Sequence, residues 1–178
     1  MQPEFKQFDH QLFTFEYPIG WVNMTKGATR FFYPKSILAY GHKPKRTGFL
    51  GILAPIVDII YWQPDAVFAV CELPLKEICE GIRSKTEAQS DEIIFDYIID
   101  NSDLLRTEVE VIAKQKESLG VRRLYHLTVN NLGYQSEFRL VSIDEEVGLI
   151  LIHSAMLNKL DDFKQTFERI VQSFRINR

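Results

Sequence analysis

The sequence predicts an α+β fold class, in which an antiparallel sheet is covered by helices. Three observations lead there. Four strand-like runs, Glu108 to Ala113, Val121 to Val129, Tyr134 to Val141 and Val147 to Ala155, follow one another towards the end of the chain. The turns between them, Asn131-Leu132-Gly133 and Asp144-Glu145-Glu146, are of the length that suits hairpins and therefore antiparallel neighbours. A single amphipathic helix then closes on Ser173-Phe174-Arg175. Inside the second run, Leu124, His126 and Thr128 fall on one side and Arg123, Tyr125, Leu127 and Val129 on the other, the two-residue period of a strand. With 178 residues, of which 46% are hydrophobic, the chain can bury one sizeable core but hardly two.

Taken in order, Met1 to His10 is polar and acidic and has no apolar stretch of signal-peptide length. A cytoplasmic location is expected, the alternative being export with a leader removed ahead of Met1. Leu12 to Tyr17 reads as a first strand, stopped by Pro18 and Gly20, with Trp21 just past the turn. Arg30-Phe31-Phe32-Tyr33 reads as a short second strand, followed by a loop holding Gly41, Pro44 and the cations Lys43, Lys45 and Arg46. Phe49 to Trp62 is nearly all apolar but contains Pro55 and Asp58 and is shorter than the roughly twenty residues of a membrane-spanning helix, so it reads as a buried strand or strand pair. Asp65 to Cys71 is a further strand.

Pro74 suits a first helical position, and Leu75, Ile78, Cys79 and Ile82 give that helix an apolar face. Around Ile93 to Ile99 the signals conflict. Ser90, Asp91 and Glu92 look like a helix start while the β-branched content suits a strand, and the segment is read as a short helix. In the closing helix Leu160, Phe163, Phe167, Ile170, Val171 and Phe174 recur at helical spacing. Asn158 is placed to cap its N-terminus, and Asp161 and Asp162 stand in the first turn, where the positive end of the helix dipole favours carboxylates. No repeat, low-complexity tract or linker divides the chain, so residues 1–178 are read as one domain.

Composition narrows the function by exclusion. A formal charge of -3 is too balanced for a nucleic-acid binder. The two cysteines, Cys71 and Cys79, are too few for a disulfide scaffold and are read as reduced and buried. Cys79 with His126 or His153 would supply a nucleophile and a base, but no orienting third residue or oxyanion-hole signature accompanies them. His10, His42, His126 and His153 lack metal-ligand spacing, and no glycine-rich loop cradles phosphate. The chain is therefore read as non-enzymatic, with no catalytic residue, cofactor set or metal site assigned. One local feature stands out: Lys35, Lys43, Lys45 and Arg46 precede apolar Phe49, Leu50 and Ile52. Such a cluster could meet an acidic protein or anionic lipid, but a membrane-surface helix would show an apolar stripe that this run lacks, and the preferred reading is a mobile surface loop leading into a core strand. Lys43, Lys45 and Arg46, with Tyr61 and Trp62 as core or interface aromatics, are the candidate partner-binding residues.

Several segments together resemble a known pattern. Phe13-Thr14-Phe15-Glu16-Tyr17-Pro18-Ile19-Gly20-Trp21 resembles an opening strand ending in Tyr-Pro-x-x-Trp. Leu75 to Lys85 resembles a first helix, Ser118-Leu119-Gly120-Val121-Arg122-Arg123-Leu124-Tyr125 a turn into a strand, and Phe163 to Phe174 a closing helix ending in Ser-Phe. This order resembles the PsbP-like family, whose fold is shared with a Ran-binding nuclear import factor. The resemblance implies an α/β/α sandwich and a role in binding or assembling other proteins rather than in catalysis. Residues 30–62 are longer and more apolar than the pattern and read as an insertion. Two function classes follow. In the first, a non-catalytic protein-binding or assembly factor holds a protein partner by a sheet edge or by the 30–62 insertion, with peripheral membrane contact as a further expectation. In the second, helix and sheet enclose a small apolar or lipid-like ligand, which would account for the 13 phenylalanines.

Overall fold

The computed structural model describes residues 3–25, 36–42, 64–74, 92–96, 99, 109–119, 122–131, 133–142 and 147–177. These residues form two antiparallel sheets. The larger has the order β3-β4-β5-β9-β8-β7-β6, from β3 (Val22–Asn23), β4 (Ser36–His42), β5 (Ala66–Pro74), β6 (Glu110–Leu119), β7 (Arg122–Asn131), β8 (Tyr134–Ser142) and β9 (Val147–Met156). The smaller joins β1 (Phe5–Asp9), β2 (Phe13–Pro18) and β10 (Arg175–Ile176) in the order β1-β2-β10. After β9 a 3-10 turn, Leu157–Lys159, leads into the closing helix Leu160–Ser173. The antiparallel α+β architecture read from the sequence is the one the chain adopts.

Two apolar clusters cover the two faces of the large sheet. On one face Ala39, Val67, Ala69, Cys71, Leu127, Val129, Phe138, Leu140, Ile150 and Ile152 pack with Ile94 and Phe95, which lie on the short helical segment at 92–96. On the other, Leu38, Tyr40, Phe68, Val70, Leu149 and Leu151 meet Phe13, Phe15 and Tyr17 of β2 and Phe163, Phe167 and Ile170 of the closing helix. Strand alternation sorts these sets: consecutive residues of β5 and β9 go to opposite clusters, and each is buried because the sheet is covered on both sides. Among the rings here, Phe15 lies 5.2 Å from Phe68 and Trp21 stands edge-on to Phe167 at 6.0 Å. The edge-on arrangement of Trp21 and Phe167 is a favoured aromatic geometry.

Several sequence expectations need correction. The strand at Leu12 to Tyr17 is the second, not the first. Phe5 to Asp9 precedes it as β1, held by ladder pairing of Phe5 with Pro18 and Phe8 with Phe15. Gly41 is not in a loop but inside β4. Ala39 and Gly41 face Met24, and a Cβ on Gly41 would collide with the Met24 sulfur, so the strand carries small residues where its neighbour comes close. Pro74 is the last residue of β5, opposite Val147, and the helix expected from it lies outside the described residues. β6 runs on to Leu119, past the expected end at Ala113, because it pairs with β7 along its whole length. Its lysines are what an outer strand tolerates and even prefers. Asn158 does not cap the closing helix. It lies in the 3-10 turn, and Lys159 stands at the N-cap position without a side-chain cap bond. The helix start is fixed by tertiary contacts instead: Leu157 N–H donates to Gly133 C=O at 2.9 Å, and Lys159 Nζ lies 2.9 Å from Asp65 Oδ2.

Other expectations hold. Asp161 and Asp162 occupy the first turn of the closing helix, whose Phe163, Phe167 and Ile170 are buried. Residues 92–96 are helical, as the start signal at Ser90 to Glu92 suggested. The strand expected at 30–33, the apolar run 49–62, the helix 75–85, Cys79 and the turn 144–146 lie outside the described residues.

Candidate functional site

Register brings together residues that the sequence scatters. The tight β7–β8 turn places Gly133 at φ +83°, a left-handed conformation that glycine adopts without strain. Counting outward from Asn131 opposite Tyr134, His126 comes opposite Arg139 and Thr128 opposite Glu137. The β8–β9 ladder then sets Glu137 opposite His153. All four side chains of interest, His126, Glu137, Arg139 and His153, therefore share the face of the large sheet on which the closing helix lies.

Glu137 is the hub. Its Oε2 lies 2.9 Å from His126 Nε2, 2.9 Å from His153 Nε2 and 3.2 Å from Arg139 Nη2. Burial alone would raise the Glu137 carboxyl, but hydrogen bonds from the His126 and His153 imidazoles, with their charge interactions, outweigh it and hold the group far below the ordinary carboxylate range. His153 is shifted downward, chiefly because burial penalises the imidazolium. Its hydrogen bond to Glu137 and the attraction of that carboxylate act the other way, while Arg139 and His126 repel added charge. A neutral His153 that donates from Nε2 to the carboxylate leaves Nδ1 as a bare acceptor, and that atom is buried without a hydrogen-bond partner. The ring lies flat on Phe167, with centroids 4.6 Å apart and planes inclined by 16°.

Beside this cluster a cleft of about 310 Å³ opens between β8–β9 and the closing helix. Gln135, Glu137, Arg139 and His153 form its floor, while Leu160, Lys164, Phe167 and Glu168 contribute the helix wall. The helix side chains recur at three- and four-residue spacing, so one helix face lines it. Close to the same end of the helix, Asp65 anchors the helix start. Its side chain is only 6% exposed and meets Lys159. His42 Nδ1 also approaches it at 3.3 Å, without the direction of a hydrogen bond.

Glu137 is poorly matched to the part of a general base near neutral pH. A general base works best with a pKa near the operating pH, and Glu137 is held far from it. His126 and His153 both direct Nε2 to Glu137, and Cys79, the nucleophile considered with them, lies outside the described residues. Among the described residues, no group of three or more His, Cys, Asp or Glu side chains is arranged to hold a metal ion. His10 lies elsewhere, stacked on Phe13 at 4.8 Å. The candidate partner-binding residues Lys43, Lys45, Arg46, Tyr61 and Trp62 lie outside the described residues. Glu137 and Arg139 were not singled out from the sequence. The available signal was a pair of charged residues flanking Phe138 in an alternating run, whose partners follow from the position of Gly133.

No family model matches the chain, and no curated protein does. Solved structures do. The antiparallel fold with its closing helix is that of cyanobacterial PsbP (CyanoP) from Synechocystis, with a TM-score of 0.61 at 13% identity over 99% of this chain and 95% of that one. It is also that of the Saccharomyces cerevisiae Ran-binding protein Mog1p, with a TM-score of 0.54 at 9% identity over 98% of this chain and 96% of that one. The chain thus has a PsbP- and Mog1-like fold, as the resemblance in its sequence implied. Among the described residues, no helix is long and apolar enough to cross a membrane.

Proposed function

We propose that this protein is a non-catalytic protein-binding or assembly factor that holds a partner in the cleft between its closing helix and strands β8 and β9. The observation that carries this reading is Glu137, an ionised carboxylate fixed by three donors and lining an open cleft with mixed charges on its rim. Fixed charges at a concave surface give orientation and specificity to an incoming polar segment. That Mog1p, with a similar fold, is a Ran-binding protein supports the same class of function. The cleft gives no support to the lipid-like alternative, because most of its lining side chains are polar or charged. Phe13, Phe15, Phe68, Phe163 and Phe167 are meanwhile used in packing sheet against helix. The basic cluster Lys43, Lys45 and Arg46, with Tyr61 and Trp62, is proposed as a second contact.

Affinity capture from native lysate with three proteins tests both surfaces. Lys164 and Glu168 are exposed positions of the closing helix, so Lys164→Glu/Glu168→Lys alters the cleft rim without entering the core. The expected outcome is a stoichiometric protein captured by wild type and lost from this double variant. A charge-reversed Lys43→Glu/Lys45→Glu/Arg46→Glu protein should capture the same partner with slower association and weaker salt dependence. Retention by the folded double variant at wild-type affinity would remove the cleft from the proposal. Unchanged kinetics in the triple variant would remove the loop, and co-purification of lipid alone would favour the other class.

A further inference from the structure

His153 sits where the large sheet meets the closing helix, where burial and an unpaired Nδ1 oppose a second ring proton while the Glu137 carboxylate favours one. Its side chain is 9% exposed. Nε2 is directed at Glu137, Nδ1 has no acceptor, and the ring face rests on Phe167, the centre of the helix's buried stripe. Adding a proton to Nδ1 would create a buried N–H with nothing to receive it, a group costly to leave unpaired. Each described element packed around the ring contributes to the balance. β7 presents His126, and β8 presents Glu137 and Arg139. The closing helix brings Asp161, Lys164 and Glu168 to the same cleft, and β5 places the uncharged Phe68 opposite. Among the described residues, Glu137 is the one anion in direct contact, and its carboxylate is already shared with His126 and Arg139.

We propose that His153 is an acid-sensitive latch: neutral, it seats Phe167 and holds the closing helix on the sheet, and its protonation releases the helix and widens the cleft. The release gives the buried Nδ1–H access to water and lets the imidazolium hydrate. The inference rests on the packing of His153 and does not depend on which partner the cleft takes. The direction of the pH dependence follows by linkage. The folded state binds the His153 proton less readily than the open state, so closure is fully favourable above the ordinary imidazole value of 6.5 and weakens as pH falls below it. Glu137, depressed in the folded state, weakens the fold in the same direction but only as pH falls below the ordinary carboxylate value of 4.5. The two windows are therefore distinct, and the range from about pH 6.5 to 5 belongs to the histidine.

Hydrogen exchange of the closing-helix amides, corrected for intrinsic pH effects, tests the latch. One proton taken up on opening raises the opening constant up to about tenfold for each pH unit below 6.5 until the folded state itself takes up the proton. In wild type, amides of residues 163–171 should lose protection between pH 7 and 5 while those of β7 and β8 do not. In His153→Gln, which keeps an N–H donor for Glu137 but cannot titrate, this loss should vanish. An equal loss in helix and sheet would make the effect global and overturn the latch, and so would a loss that persists in His153→Gln. Should that variant not fold, the His153 ring resonances of wild type decide the matter: titration below 6.5 supports the latch, and titration at or above 6.5 overturns it.

Discussion

Replacing Phe167 by alanine is expected to lower stability by roughly 3–5 kcal/mol, the usual cost of deleting a buried aromatic ring. Phe167 is 6% exposed and touches three different aromatic systems: the His153 ring beneath it, the edge of Trp21 and the neighbouring Phe163. The side chain lies at the middle of the helix, so the cavity cannot be filled by fraying of either end. Loss of the ring also leaves one face of His153 without its packing partner, which adds to the transfer cost of the ring itself. Chemical denaturation is the appropriate measurement, with the slope unchanged and the midpoint moved. A change below about 1 kcal/mol would mean that the helix is not held by this face.

Asp65→Ala is expected to cost roughly 3 kcal/mol, near the lower end of the range for breaking a buried ion pair. The carboxylate is almost fully buried and accepts from Lys159 Nζ at 2.9 Å, joining the start of β5 to the start of the closing helix. Lys159 is 36% exposed and can recover part of its hydration, which sets the expectation at that lower end. The backbone of Asp65 bonds to His42 and Met156 whatever its side chain, so the strand itself should persist. Equilibrium denaturation again gives the number, and a cost within the 0–1 kcal/mol typical of surface pairs would show that the anchor is not needed.

How much of this was readable in advance depended on whether a residue's environment is set locally. The stripe of Phe163, Phe167 and Ile170 was legible because helical period alone assigns it, and the β7–β9 meander was legible because alternation and short turns coincide. β4 was not, since Gly41 looks like a loop residue until Met24 is seen lying against it. β1 was obscured by its polar residues, which an outer strand can carry facing solvent. Asn158 had the right chemistry for a cap, but the contacts of Lys159 with Asp65 and of Leu157 with Gly133 decided where the helix begins. The candidate site was the least legible part. His126, Glu137 and His153 lie on three separate strands, and only the ladder registers bring them to one point.

The position of β5 in the large sheet has a kinetic consequence. Its partners are β4, close in sequence, and β9, whose pairing of Ala66 with Ala155 and Val70 with Leu151 spans most of the second half of the chain. The β6–β7–β8–β9 meander, by contrast, needs only neighbouring segments to meet. Closing the long connection before any pairing rewards it is entropically unfavourable, so the meander should form first and β5 should dock late. A polarised transition state follows, with high φ-values for truncations such as Leu127→Ala in β7 and low ones for Val70→Ala in β5. The barrier to folding would then be set largely by one strand finding its place beside β9. A φ-value at Val70 equal to or above that at Leu127 would reverse this order of events.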